Sequence, residues 1–76
     1  LPAPKPEART VTLALNLPPE AEGRQVRLVL VDGRGESLVY EGEGREGLRV
    51  SGTYEAVGEA HFRLYLDGEL FQEWAP

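Results

Sequence analysis

The chain has 76 residues, with eight Lys+Arg against thirteen Asp+Glu, a formal charge of −5, one histidine and no cysteine. That length holds one domain near the lower size at which a core is stable without staples, and the missing cysteine excludes disulfides, thiolate metal sites and a Cys nucleophile. The acidic balance argues against nucleic acid as a partner and against docking by charge on anionic lipid, and no apolar run approaches a membrane span.

Leu1 to Ala8 carries three of the six prolines and reads as an extended linker over residues 1–8, of the kind that joins a β domain at residues 9–76 to a longer protein. From Arg9 the pattern has period two. Val11, Leu13 and Leu15 alternate with Thr10, Thr12, Ala14 and Asn16, as in a half-buried strand. The run "LPPEAEG" (17–23) ends it, because consecutive prolines do not serve a central ladder. Gln25 to Asp32 is a second strand with Val26, Leu28 and Leu30 on one face. Val29 and Val31 make its other face apolar too, which predicts a central position.

Ser37 to Glu41 is a short third strand, followed by the acidic, glycine-rich loop "EGEGREG" (41–47). Leu48, Val50, Gly52, Tyr54 and Ala56 keep one parity, as one long strand bent at Gly52 or as two strands meeting there. "VGE" (57–59) turns the chain into Ala60–Leu66, and Glu69–Trp74 closes the domain. No segment has a 3.6-residue period. Six to seven short strands predict an all-β fold, a small antiparallel sandwich of immunoglobulin-like or fibronectin-like type, with a small open barrel as the alternative.

"VRLVLVDG" and "FRLYLDG" both run a strand into Asp-Gly. An Asp-Gly loop at 67–68 satisfies a type I′ turn and sets Tyr65 opposite Leu70 and Leu64 opposite Phe71. At the first copy a three-residue loop, Gly33-Arg34-Gly35, keeps apolar residues together by pairing Leu30 with Leu38 and Leu28 with Tyr40. The echo is therefore turn chemistry used twice, not a duplication. Neither loop has the ligand spacing of a calcium site, so no metal and no cofactor is expected.

Catalysis has few residues to draw on. Ser37 and Ser51 are the only serines, neither lies in a nucleophile-elbow context, and His61 is the only histidine, so the chain is not expected to be an enzyme. "EGEGREG" lacks the Gly-Lys-Ser/Thr ending of a phosphate loop, and its glutamates repel anions. With Phe62, Leu64 and Leu66 inward, His61, Arg63 and Tyr65 face outward. The expected register adds Leu70 and Trp74 to one exposed stripe, able to stack on a sugar or grip a peptide, or to serve as cross-strand support and cover by a neighbouring domain.

The run from Arg24 to Glu73 resembles the small extracellular immunoglobulin-like domain at the C-terminus of bacterial PASTA-containing serine/threonine kinases. The hairpin "VRLVLVDGRGESLVYEG" is similar to that family's valine-rich strand, D-x-x-G turn and V-Y-E strand. "LRVSGTYEAVG" follows, and "FRLYLDGELFQEW" is similar to its V-Y-x-D-G-x-L/V ending. Trp74 and Gly52-Thr53-Tyr54 depart from the pattern. The resemblance implies a place outside the bacterial cytoplasmic membrane, in the cell-wall space, at the end of a sensor ectodomain. It implies peptidoglycan fragments or adjacent PASTA domains as partners, no direct membrane insertion, and a monomer when isolated. No catalytic residue carries over. An accessory adhesion or carbohydrate-binding module of another secreted protein is the alternative.

Overall fold

Alternating side chains give each strand a wet and a dry face, and two such dry faces must find each other. A computed structural model describes residues 8–76. The expected linker lies outside them except for Ala8, which is the first residue of a strand. Six strands form: β1 (Ala8–Asn16), β2 (Gln25–Asp32), β3 (Gly35–Glu43), β4 (Arg49–Val57), β5 (His61–Leu66) and β6 (Glu69–Trp74). β1 and β4 make a two-stranded antiparallel sheet, and β3-β2-β5-β6 make a four-stranded one. The fold is a small β-sandwich of two separate antiparallel sheets rather than a small open barrel. Its β2 is central, as its two apolar faces require.

The core lies between the sheets. Val11 and Leu13 of β1 and Val50 and Ala56 of β4 face Val26, Leu28 and Leu30 of β2 and Phe62, Leu64 and Leu66 of β5. Tyr54 meets the Phe62 ring edge-on at 6.5 Å, a favoured aromatic geometry. Leu48 falls outside β4, which runs unbroken through Gly52 as one strand. At "LPPEA" the chain turns through a single 3-10 turn at Pro19–Ala21, where the prolines are tolerated because no ladder needs their missing N–H groups.

Three expectations of register need correction. At 67–68 the two-residue turn forms, with φ of 51° at Asp67 and 83° at Gly68, and Tyr65 faces Leu70. Phe71 is then an extra residue in a bulge, so Leu64 faces Gln72 instead of Phe71. In the first hairpin Asp32 already pairs with Gly35, leaving a two-residue loop, Gly33-Arg34, and Leu30 faces Ser37 rather than Leu38. A second bulge, at Val39, restores the expected Leu28–Tyr40 pair. β3 is longer than expected at both ends. The loop after it is knit rather than loose: Gly44 is buried, its N–H donates to the Arg24 carbonyl at 2.7 Å, and a Cβ there would stand 2.1 Å from the Ala21 carbonyl oxygen.

Phe62, fully buried between the sheets, is the contact on which the packing turns. Phe62→Ala should cost about 3–5 kcal/mol, most of the stability of a domain this small. Thr12→Ala, on the exposed face of β1, should change it by less than about 0.5 kcal/mol. Urea unfolding followed by tryptophan fluorescence measures both.

Candidate functional site

The two Asp-Gly turns sit at opposite ends of β2 and hold it there. At its start, the Asp67 N–H donates to the Gln25 carbonyl at 2.9 Å, and the Gln25 N–H donates to Asp67 Oδ1 at 3.0 Å. At its end, Asp32 Oδ2 accepts from the Val57 N–H and Oδ1 from the Arg34 N–H, each at 3.0 Å. The Gly33 N–H donates to the Val57 carbonyl at 2.7 Å, and Arg34 Nη2 donates to the Glu55 carbonyl at 3.0 Å. A Cβ on Gly33 would come within 2.9 Å of that Val57 oxygen, so the close approach needs glycine. Asp32 and Asp67 are about 23 Å apart along β2 at 3.3 Å per residue, and each is committed to backbone partners. They do not converge on a shared cation, and among the described residues no three metal-ligating side chains gather.

The Asp32 side chain is only 3% exposed. The Val57 N–H holds its carboxyl below the usual carboxylate range, against the desolvation that pushes it up, with the Arg34 N–H and guanidinium helping. The buried charge is tolerated because both oxygens are paired.

The outward face of the four-stranded sheet gathers most of the expected stripe. Tyr65 stands between Arg27 of β2 and Leu70 of β6, Arg63 between Val29 and Glu73, and His61 beside Val31. Val29 is fully buried although it lies on this outer face, and Leu38 is its other cross-strand neighbour. Arg63 Nε donates to the Glu73 carboxylate, and His61 Nε2 lies 3.3 Å from the same oxygen without forming a hydrogen bond. Arg63 holds Glu73 below the usual carboxylate range. Glu73 and then the Tyr65 hydroxyl raise the guanidinium in return.

Trp74 leaves the stripe. It faces Phe62, not His61, and its ring packs on the Phe62 ring at 5.6 Å between centroids. The Phe71 bulge advances β6 by one residue, turning Trp74 inward and Glu73 outward. The outward face is therefore His61, Arg63, Tyr65 and Leu70, with Glu73 and Arg27 added. Nothing in composition marks Glu73. Its signal is only that it stands one residue before an indole large enough to belong inside.

No family model, no curated protein and no solved structure matches this chain.

The lowered Asp32 value has a sign that can be measured. Its folded pKa lies below the unfolded value of about 3.9, so its stabilisation is complete above about pH 5 and is lost as pH falls through the unfolded value toward the folded one. Wild type should lose thermal midpoint steeply from pH 5 to pH 2. Asp32→Asn should melt lower than wild type at pH 7 and fall less steeply below pH 5. Parallel curves for the two proteins would contradict the assignment.

Proposed function

We propose that the chain is a non-catalytic extracellular β-sandwich module, the terminal domain of a sensor ectodomain of the PASTA-kinase type, which spaces that ectodomain and touches cell-wall material. Two kinds of support stand behind this reading. The turn and strand motifs of residues 24–73 are similar to that family's terminal domain. Several charged side chains are committed to structural pairs: Asp32 and Asp67 on backbone N–H groups, and Arg63 on Glu73.

The observation that carries the contact role is the placement of Tyr65. Its half-buried ring lies on the outward face between Arg27 and Leu70, with Arg63 one pair away. An aromatic ring flanked by guanidinium groups suits the apolar face of a sugar together with a carboxylate on an attached peptide, the two chemistries of a muropeptide. Trp74 takes no part, since its ring is against Phe62.

Soluble muropeptides titrated into the labelled domain should shift the Tyr65 and Arg63 signals at millimolar ligand, and Tyr65→Ala should weaken binding about tenfold. No shift at those concentrations would remove the contact role and leave spacing alone. Transmembrane and PASTA segments upstream in the parent gene would support the placement in a kinase ectodomain. A glycosidase or adhesin there would overturn it.

A further inference from the structure

The sandwich has two margins, and they are finished differently. Along one, the β2–β3 turn is clamped to β4 by Asp32, Gly33 and Arg34. Along the other, among the described residues β1 pairs only with β4 and β6 only with β5, so both present an open edge. Pro76, two residues past β6, lines a hollow with Arg9, Val11 and Thr12 at the start of β1. Glu20, four residues past β1, lines a second hollow with Glu69, Leu70 and Phe71 at the start of β6. The two open strands thus run in opposite directions along one margin, with a hollow at each end.

Open edges are a hazard that proteins blunt with charge, proline and bulges. β6 carries Glu69, Glu73 and a bulge, β3 carries Glu36, Glu41, Glu43 and a bulge, and β4 carries Arg49, Glu55 and a mid-strand glycine. β1 is the least protected: apart from Arg9 near its start it has no charge, no proline and no glycine, and its pairing with β4 is regular from end to end. On the larger sheet the core side of β6 carries Glu69 and Gln72 as well as Trp74, and its apolar residues are incompletely covered near the start of the strand. Phe71 is 43% exposed, and it shares its hollow with Leu66 from the core. A third strand beside β1 would satisfy the free backbone groups and extend the smaller sheet over β6.

We propose that the free edge of β1 is a strand-addition site for an extended segment of another protein. That segment runs antiparallel to β1, has apolar residues at alternate positions, is basic at its N-terminal end and is acidic at its C-terminal end. Antiparallel pairing is the more stable arrangement per residue. Alternation follows from the geometry: inward side chains of the added strand continue the row of Val11, Leu13 and Leu15 toward Phe71, while outward ones continue Thr10, Thr12 and Ala14. Charge sets the polarity. Glu20 and Glu69 flank the hollow beyond the C-terminal end of β1, where Arg24 already pairs with Asp67 at 3.7 Å, and Arg9 flanks the other.

A synthetic nonapeptide of alternating valine and threonine, with lysine first and glutamate last, is the probe. Added to the labelled full chain, it should shift the amides of residues 10–16 and the Trp74 indole and slow amide exchange along β1. N-methylation of alternate peptide nitrogens on the edge facing β1 should abolish the shifts, while N-methylation on the opposite edge should leave them. Phe71→Ser, at an exposed position, should keep the fold and weaken binding about tenfold. Equal binding of both methylated peptides, shifts confined to Tyr65 and Arg63, or no shift at millimolar peptide would each overturn the proposal.

Discussion

The Asp32 carboxylate fastens one sheet to the other, and the rest of the molecule is arranged around that bond. A two-stranded sheet lying on a four-stranded one has little area with which to fix its own position. Apolar packing between the layers is non-directional and tolerates sliding. Asp32 adds direction: one oxygen accepts from Val57 at the end of β4 while the other closes its own turn through Arg34. Removing the carboxylate leaves the Val57 N–H without its acceptor and leaves only the Gly33 and Arg34 bonds to hold the turn to β4. Asp67 does the corresponding work within the larger sheet, tying the β5–β6 turn to the first residue of β2. The central strand is thereby held at both ends by the same dipeptide.

That division explains which parts were legible in the sequence. β2 begins and ends where its composition places it, because both faces of a central strand are apolar and its limits are marked by "EGR" and Asp-Gly. The inward and outward alternation of β5 was equally plain, as was the type I′ turn after it. What escaped were the two bulges, at Val39 and Phe71. A bulge adds one residue without altering composition, and everything beyond it changes face. Trp74 and Glu73 exchanged roles for that reason alone. The partner of Asp32 was hidden differently: Val57 is 25 residues away and contributes a backbone N–H, which no side chain advertises.

The outcome is a module with two dissimilar surfaces. The outward face of the four-stranded sheet is a mixed platform on which Arg63 pairs with Glu73 beside Tyr65, and its apolar centre, Val29, is already covered. The margin between β1 and β6 differs: among the described residues its edge backbone is unpaired, and Phe71 is exposed there with Glu20 and Glu69 near one end and Arg9 near the other. One margin is latched and the other is left open, and the two conditions depend on each other. A lid of two strands can present an open edge only if something other than that edge fixes its place.

A carbon-detected titration of the Asp32 side-chain carboxyl, read together with the Val57 and Arg34 amide protons, tests the latch most directly. The carboxyl should titrate below the ordinary aspartate value of about 3.9, and both amides should move with the same midpoint. A midpoint at or above that value, with a Val57 amide indifferent to it, would mean that the carboxylate does not join the sheets.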